Sequence, residues 1–436
     1  MLEWLYMNRI WLIVFGDFLS FLLAFILLIF IRFNAGNYLT AIHLHTLPFI
    51  ILYLFWVLIF YIFGLYDLVT IKPTIPYIKR WVLALFSSFI VGLLLFYFAP
   101  IFGISPKGNL VLQVGLFGIF SFLFRRSIYN IFAKALTRPT ILVGSSSYLI
   151  ELNKTIEATP QIGLKIINHF KNVNEINKDL IDTKNLIIIL DKNVDETDQN
   201  ILSFYKKGVE IMDTAKAYEK YLLKIPVAYI DMDFIVENID INKNILYTAL
   251  IFVTDRLFAL VILVLTSPFT LISMLFIYIN DKGPVLYTQI RVGLDNKVFK
   301  LYKLRSMTVN AEKNGAVWAT GASDPRVTRV GKVIRKLHID EIPQMINILK
   351  GDLSLVGPRP ERPEFVTPLE ETIPHYNLRH IIRPGFTGWA QIKYRYASSV
   401  EDSKEKFEYD LYYIKNRNIF LDFGIILRTI IIIFTH

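Results

Sequence analysis

The chain has 436 residues, which is too many for one ordinary domain and predicts two or three. Its hydrophobic fraction of 54% and its mean hydropathy of +0.44 exclude a purely soluble protein with a solvated surface. The net charge of +10 favours contact with anionic lipids and substrates, although inner-membrane proteins commonly carry such an excess. The absence of cysteine excludes disulfides, thiolate metal ligands and a cysteine nucleophile.

Charge is sparse in the first 125 residues, where four apolar segments approach the length of about 20 residues that spans a bilayer. Lysine and arginine are concentrated between the second and third segments and after the fourth, so the N-terminus and everything after residue 126 should face the cytoplasm. Asp17 lies in the first segment near its cytoplasmic end, where a structural role is favoured over a functional one. The predicted spans are 10–31, 47–65, 81–103 and 109–125.

The region that follows, to about residue 232, has the composition of a soluble α/β domain. Strands predicted at 140–144, 185–191 and 209–212 are separated by helical stretches, which indicates a small parallel sheet. The first strand ends at Gly144, but the chain lacks the further glycines of a G-x-G-x-x-G dinucleotide site. This pattern favours a Rossmann-like shape without nucleotide. Asp231-Met232-Asp233 matches the D-x-D pattern of metal–nucleotide sites, which is short and common by chance.

A second membrane element is predicted at residues 257–280, an apolar run long enough to cross a bilayer at about 1.5 Å per residue. The sequence after it is strongly basic, which opposes an exoplasmic location. Ser267-Pro268 lies in its middle, and proline removes a helix hydrogen bond. We therefore expect a helix that breaks at Ser267-Pro268 and returns to the same face, with Ser267 capping the freed backbone groups. A kinked spanning helix is the alternative.

Cationic side chains precede the most informative motif of the chain. If residues 299–307 form a strand, Lys303 and Arg305 lie on one face and could grip a diphosphate. A solvated strand edge explains the same pair equally well.

Further on, three closely spaced prolines in 357–363 favour an extended path that projects Arg359 and Arg362 from one side, a geometry suited to phosphate oxygens.

Asp340-Glu341 is the strongest candidate for chemistry on a phosphate. Asp340 is predicted to begin a helix that ends at Gly351, which on its own would make it an ordinary N-cap. A carboxylate at that position would stay ionised, as a nucleophile must, and its acidic neighbour could hold Mg²⁺. Arg335 lies about one and a half turns upstream.

Aromatic residues are frequent in the last part of the chain. Trp389 and the tyrosines around 409–413 lie beside basic residues and suit a helix at the membrane interface. The apolar run 425–434 is too short to span and should lie on the bilayer or pack in the core.

The region from about residue 250 to 436 resembles the bacterial sugar transferase family, monotopic polyprenol-phosphate phosphoglycosyl transferases that start exopolysaccharide and O-antigen synthesis. The order and spacing of the shared motifs make this resemblance specific, and the whole layout is similar to the large-form members. The shared motifs are Ser267-Pro268, Lys303-x-Arg305-Ser306-Met307, Asp324-Pro325-Arg326, Asp340-Glu341-x-Pro343-Gln344, Gly357-Pro358-Arg359-Pro360 and Pro384-Gly385-x-Thr387-Gly388-Trp389.

The resemblance implies a membrane protein of three parts. These are an N-terminal four-helix transmembrane bundle (1–137), a degenerate Rossmann-like α/β domain (138–245), and a C-terminal mixed α/β catalytic domain (246–436) with the re-entrant helix. It further implies the bacterial inner membrane, with the catalytic domain on the cytoplasmic face. The implied partners are a UDP-sugar, polyprenyl phosphate and inner-membrane lipid. Nucleic acid is not expected, and a homodimer is left open.

The mechanism implied by the resemblance places Asp340 as the nucleophile that attacks the β-phosphate of a UDP-sugar. UMP would leave, and polyprenyl (undecaprenyl) phosphate would then attack the phosphosugar-aspartyl intermediate. Glu341 with Asp340 would bind Mg²⁺, while Arg335 and Arg359 would hold phosphates.

One departure from the family pattern is visible at the start of the re-entrant helix. Members usually show Lys-Arg-x-x-Asp, whereas this chain has Asp255, Arg256 and Ala259 at those positions. The change bears on a local ion pair or lipid headgroup contact and not on Asp340-Glu341. Two rival functions stay open: a nucleotide-sugar-modifying enzyme built on the Rossmann-like part, which the missing glycines oppose, and a non-catalytic scaffold, which the intact acidic pair opposes.

Overall fold

The chain divides into two compact units, Met1–Ala217 and Tyr218–His436. The predicted boundary at 245 falls inside the second unit, because Ile225 and Val227 pack against Phe407 there. The division into three domains stays a prediction. The computed structural model describes residues 9–67, 71–98, 107–135, 137–192, 194, 199–239, 245–309, 311, 324–394 and 399–434.

Four apolar helices open the first unit, and each is long and apolar enough to cross a membrane. They confirm the four predicted spans, apart from residues 99–103 of the third, which lie outside the described residues. The chain is therefore a membrane protein. The helices are α1 (Arg9–Arg32), α2 (Tyr38–Ile62), α3 (Ile75–Phe98) and α4 (Lys107–Asn130).

A buried ion pair joins α1 to α4. The Arg125 guanidinium donates through Nε to the Asp17 carboxylate at 3.1 Å, and its Nη1 donates to the Leu65 carbonyl at 2.7 Å. Both side chains of the pair are almost fully buried. Removing one member of such a pair leaves an uncompensated charge and typically costs about 3–5 kcal/mol. The contact supports the structural role predicted for Asp17.

A four-stranded parallel sheet with strand order β2-β1-β3-β4 follows the four apolar helices along the chain. It confirms the predicted parallel α/β unit and three of its strands; β2 was not predicted, since its exposed positions carry polar residues that interrupt the apolar pattern. The strands are β1 (Arg138–Val143), β2 (Leu164–Phe170), β3 (Ile187–Leu190) and β4 (Glu210–Asp213). The helices are α5 (Ser147–Ala158), α6 (Lys178–Ile181), α7 (Gln199–Lys206) and α8 (Thr214–Ala217).

The carboxyl ends of β1 and β3 meet at the point where the strand order reverses, the usual ligand position in such sheets. Asp191 lies there and accepts hydrogen bonds from the backbone amides of Ser146 at 2.8 Å and Lys192 at 3.0 Å. Gly144 has a φ of +134°, and a Cβ on it would come within 2.2 Å of the Asp191 Cβ. Because Gly144 has no Cβ, the Asp191 side chain can pack against it at the end of the sheet.

The second unit is mixed α/β, as predicted. β5 (Leu286–Val292) and β6 (Val298–Leu304) form an antiparallel hairpin, and β7 (Ser354–Val356) pairs in parallel with β8 (Gly385–Thr387). The helices are α9 (Met232–Asn238), α10 (Ile245–Asp281), α11 (Arg329–Lys336), α12 (Gln344–Lys350), α13 (Pro363–Thr372), α14 (Trp389–Lys393), α15 (Val400–Asn416) and α16 (Ile419–Phe434). Its largest core cluster includes Leu301, Met345, Ile348, Leu355 and Ile382.

Helix α10 runs through Ser267 and Pro268 without interruption, so the predicted division into two helices at this point is wrong. Proline has no N–H for the carbonyl four residues earlier, which here is that of Val264. The Ser267 hydroxyl donates to this carbonyl at 2.8 Å and replaces the missing bond. The predicted capping by Ser267 is thus confirmed, and it explains how helix continues past the proline. Re-entry itself stays a prediction.

The residues of α10 that depart from the family pattern contact β7 and the main core cluster of the second unit. The Ser354 hydroxyl of β7 donates to the Asp255 carboxylate at 2.5 Å. Ala259, one turn later, is fully buried in the main core cluster. Asp255 therefore makes polar contacts with β7, through the Ser354 hydroxyl and the Leu355 backbone amide.

The aromatic helix near the C-terminus contributes to the core of the second unit. Tyr413 of α15 and Trp389 of α14 are buried in its main cluster, and the predicted place of this helix at the membrane interface stays a prediction. The last helix, α16, buries Ile425 but leaves Phe420 83% exposed, so it both packs in the core and presents an apolar side outward.

Candidate active site

Asp340 and Glu341 lie in a single 3-10 turn, Ile339–Glu341, between α11 and α12. The turn begins after His338, whose φ of +54° is left-handed, an uncommon backbone region in which histidine is enriched. The helix that Asp340 was predicted to begin starts four residues later at Gln344, and Gly351 caps its end as predicted. Asp340 is therefore not a helix N-cap, and a helix dipole does not account for its ionisation.

Two cations from separate elements converge on Glu341. Lys303 of β6 lies 2.8 Å from its Oε1, and Arg359, which follows β7, lies 2.9 Å from the same atom. Burial acts to raise the pKa of Glu341, but these two cations outweigh it and hold that pKa well below its usual range. The acidic residue next to Asp340 is thus a permanent anion held by side chains that can bind phosphate.

Asp340 has the opposite electrostatics. It is only 8% exposed, and burial followed by repulsion from Glu341 raises its pKa to about 6, against the attraction of Lys303 and Arg335. The sequence predicted a stabilised anion at this position, and the direction of the pKa shift is the reverse. At neutral pH the carboxylate is still mostly ionised, and its basicity is greater than that of an ordinary aspartate.

Arg335 approaches this site from α11. Its Nε donates to the Ser306 hydroxyl at 2.7 Å, which fixes the guanidinium on the side of Asp340. Close packing makes this possible: a Cβ on Gly331 would lie 1.9 Å from the Ser306 carbonyl oxygen. The glycine one turn before Arg335 therefore lets α11 rest on the strand end that carries Lys303.

The other two predicted phosphate ligands make different contacts. Arg305 is 6% exposed and packs against Gly283, at the end of α10. Arg362 lies 3.2 Å from Glu364 at the start of α13. Of the five predicted cations, the structure thus brings Lys303 and Arg359 to the acidic pair and Arg335 near it.

The proline-rich segment 357–362 is held through its backbone carbonyls. The Gly385 amide donates to the Pro358 carbonyl at 2.8 Å, and the Arg291 guanidinium donates to the Pro360 carbonyl at 2.8 Å. Arg379 donates to the Arg359 carbonyl. Arg291 and Arg379 were missed from the sequence, where nothing distinguishes a buried arginine that serves a backbone carbonyl from one on the surface.

The donor set for Mg²⁺ is small. The described residues contain no group of three or more His, Asp or Glu side chains that could hold a metal ion. Mg²⁺ usually retains several waters and needs only one or two carboxylates plus substrate phosphates, so the adjacent Asp340 and Glu341 fit that pattern. Asp231 of the D-x-D motif instead caps α9, accepting a hydrogen bond from the Phe234 amide at 2.8 Å.

Comparison with known proteins gives a family match and several relatives. The sequence profile of the family described as Bacterial sugar transferase matches residues 246–436. A UDP-N-acetylgalactosamine-undecaprenyl-phosphate N-acetylgalactosaminephosphotransferase of Aeromonas hydrophila is 50% identical over 181 residues, 42% of this chain and 43% of the relative. A UDP-glucose:undecaprenyl-phosphate glucose-1-phosphate transferase of Klebsiella pneumoniae is 40% identical over 178 residues, 40% of this chain and 38% of the relative.

A third relative is matched over most of its length. The exopolysaccharide production protein PSS of Rhizobium leguminosarum bv. phaseoli is 37% identical over 174 residues, which is 39% of this chain and 87% of the relative. The chain thus spans less than half the length of the Aeromonas and Klebsiella relatives but nearly all of the shorter Rhizobium protein.

Proposed function

Because the chain belongs to the bacterial sugar transferase family, we propose that it transfers a sugar 1-phosphate from a UDP-sugar to undecaprenyl phosphate. The Aeromonas and Klebsiella relatives are named for reactions of this kind. The observation that carries the proposal is the pairing of Asp340, a buried carboxylate of raised pKa, with Glu341 and its two cations. That arrangement places a basic oxygen nucleophile beside groups that attract a diphosphate.

The reaction proceeds in two displacements at one phosphorus. The ionised Asp340 carboxylate attacks the β-phosphorus of the UDP-sugar, and the bond to the oxygen bridging the two phosphates breaks. UMP leaves with that electron pair, while the sugar phosphate stays on Asp340 as an acyl phosphate. An oxygen of undecaprenyl phosphate then attacks the same phosphorus, which forms the new diphosphate and returns the carboxylate. Neither step needs a proton to be removed from the nucleophile at neutral pH.

Lys303 and Arg359 are the residues that meet the diphosphate. In the free protein both neutralise Glu341. Phosphate oxygens compete for the same donors, and a guanidinium fork suits them especially well. Arg335, held by Ser306, adds positive charge on the side of Asp340. The cations thus compensate charge that shifts from the β-phosphate to the departing UMP.

Asp340 and Glu341 would hold Mg²⁺ together with water and substrate phosphates. The bound ion would supply positive charge to the phosphates. Support comes from the repulsion between the two carboxylates, which contributes to the raised pKa of Asp340 and which a divalent cation relieves.

We further propose that α10 enters the membrane from the cytoplasmic face, bends at Pro268 within one continuous helix, and returns to the same face. The helix has 37 residues and would be about 55 Å long if straight, enough to carry its end across a bilayer. Yet Ala259 in its first half packs with Met345, and Ile277 near its end packs with Leu304, all within the same unit. Between them lies an apolar surface suited to lipid. Its residues with more than half of their surface exposed include Val264, Leu265, Phe269, Leu271 and Ile272.

The topology can be tested without background labelling, because the chain contains no cysteine. A Lys282→Cys variant places one thiol just beyond α10. An impermeant maleimide should label it in inverted membrane vesicles and leave it unlabelled in intact spheroplasts. Labelling from outside intact spheroplasts would show that α10 crosses the membrane and would refute re-entry.

The activity is tested with the full-length protein in nanodiscs, Mg²⁺ and a panel of UDP-sugars. Without undecaprenyl phosphate, the preferred UDP-sugar should release UMP only up to the amount of enzyme. With undecaprenyl phosphate, UMP release should continue and match the formation of undecaprenyl-diphosphate-sugar. Release of UDP in place of UMP would contradict transfer of a sugar 1-phosphate.

A further inference from the structure

Arg379 is a deeply buried cation that belongs to none of the motifs singled out in the sequence. It lies in the 3-10 segment Tyr376–His380 and is 5% exposed. Its Nη1 donates to the Tyr376 hydroxyl, and its Nη2 lies 3.0 Å from the Asp410 carboxylate of α15. Asp410 is almost completely buried and neutralises this charge, so the cation remains stable inside the unit.

The same Nη2 of Arg379 also donates to the backbone carbonyl of Arg359 at 2.9 Å. The side chain of Arg359 extends from this backbone to Glu341, and its Nη2 lies 2.9 Å from the Glu341 Oε1. One buried arginine thus fixes the backbone from which another arginine reaches the acidic pair. Because a guanidinium donates in a fixed planar fork, its bonds to Asp410 and to this carbonyl together define a position for both.

The neighbouring carbonyls show that this contact is part of an organised support. Three successive carbonyls, those of Pro358, Arg359 and Pro360, accept from Gly385, Arg379 and Arg291 respectively. The three donors belong to different elements of the unit. Proline already restricts the backbone here, so these bonds leave the segment little freedom.

We propose that Arg379 is a positioning residue for Arg359, acting on phosphate binding through the Arg359 carbonyl. The inference rests on the proposed role of Arg359 in holding the substrate's phosphates. A side-chain cation must be placed to within about 1 Å to stabilise a transferring phosphoryl group, and misplacement on that scale can cost about 100-fold in rate. Loss of Arg379 should therefore resemble loss of Arg359 in its kinetics.

The test is a double-mutant cycle of Arg379→Met and Arg359→Met, measured as UMP release per folded enzyme. Arg379→Met alone should lower kcat/KM for the UDP-sugar by about 10- to 100-fold, with the same split between KM and kcat as Arg359→Met. In the Arg359→Met background it should change kcat/KM by less than about 3-fold. Fully multiplicative effects in the cycle would overturn the proposal.

Lys224→Met is the matched control. Lys224 is also a buried cation paired to α15, and its ion-pair partners Glu405 at 2.8 Å and Glu408 at 3.5 Å both lie outside the proline-rich segment. It should lower thermal stability while leaving UMP release per folded enzyme within about 3-fold of the unsubstituted protein. An equal kinetic loss in Lys224→Met would show that any damage to α15 suffices, which would also overturn the proposal.

If Arg379→Met does not fold, the cycle is run with Asp410→Asn, which removes the countercharge of Arg379 with little change in shape. Glu408→Gln, another buried carboxylate of α15 whose cation is Lys224, is then the control. Failure of the proposed function is distinguishable, because it would appear as unchanged UMP release by Asp340→Asn. If Asp340→Asn is inactive and the cycle is multiplicative, only the role of Arg379 is refuted.

Discussion

Each unit of the molecule holds a buried carboxylate at a place where ligands or substrates are expected, and the partners of the two differ in kind. Asp191 accepts from the backbone amides of Ser146 and Lys192, which are neutral and fixed donors of its own sheet edge. Asp340 lies beside a second carboxylate, Glu341, and its pKa is raised to about 6. A carboxylate satisfied by nearby amides is structural, whereas one facing a like charge and side-chain cations can react.

The largest expected effect is the difference in UMP release between variants of the two carboxylates, Asp340 and Asp191. Asp340→Asn removes the nucleophile while preserving shape, so UMP release should fall by at least about 10³-fold. Asp191→Asn should leave UMP release within about 3-fold, since Asp191 holds backbone amides of the first unit, whereas the residues assigned to the substrate belong to the second. Assays of both variants with the preferred UDP-sugar check this. A similar loss in both would remove the distinction between the two sites.

The cations around Glu341 should matter according to where the structure places them. Arg359→Met should lower kcat/KM by about 10- to 100-fold, because it removes a guanidinium aimed at the diphosphate. Arg362→Met is the matched control three residues later, and it should change kcat/KM by less than about 3-fold, since Arg362 pairs with the exposed Glu364. Equal losses would indicate that both arginines bind phosphate, as the extended path in the sequence had predicted.

The structural role of Asp191 should appear in stability. Asp191→Asn replaces one acceptor oxygen with an N–H group and removes a hydrogen bond between a partly buried amide and a charged carboxylate, which should cost about 1–3 kcal/mol in the free energy of unfolding of the sheet region. Asp182→Asn removes an exposed ion pair with Lys207 from the same sheet region and should cost less than about 1 kcal/mol. Amide hydrogen exchange of residues 138–217 measures both. Unchanged protection in Asp191→Asn would contradict the structural assignment.

The smallest expected effect concerns pH. Asp340 must be ionised to attack, so UMP release should rise with pH and then level off, with a midpoint below about 6 once Mg²⁺ relieves the repulsion between Asp340 and Glu341. The positive charge of Arg335 lowers the pKa of Asp340, so Arg335→Gln should shift the midpoint upward. Lys336→Gln, an exposed neighbour on the same helix, should leave the midpoint unchanged. A downward shift in Arg335→Gln would contradict the electrostatic account.

Sequence reasoning predicted the features that depend on local chemistry. The four spans, the parallel sheet and the Asp340-Glu341 pair each carry a pattern within a short window. The convergence of Lys303 and Arg359 on Glu341 also agrees with the predicted group of cations. Lys303 lies in a motif of alternating cations, and Arg359 lies between two prolines that restrict the backbone.

The misses have specific physical causes. The prediction of a break at Pro268 considered only the hydrogen bond that proline removes. In the structure the Ser267 hydroxyl replaces that bond. Arg379 was not predicted because its partners lie 20 and 31 residues away, at the Arg359 carbonyl and Asp410. Such contacts arise only when distant segments pack together, so no local pattern marks them.

Mass spectrometry of the reacted enzyme tests most directly whether Asp340 forms a covalent bond to phosphorus. The full-length protein is incubated with its preferred UDP-sugar in the absence of undecaprenyl phosphate, then digested under acidic conditions that preserve acyl phosphates. We expect the peptide containing Asp340 to gain the mass of one sugar phosphate in proportion to the UMP released, and to lose it when undecaprenyl phosphate is added. Stoichiometric UMP release with the added mass on another residue, or on none, would contradict this account.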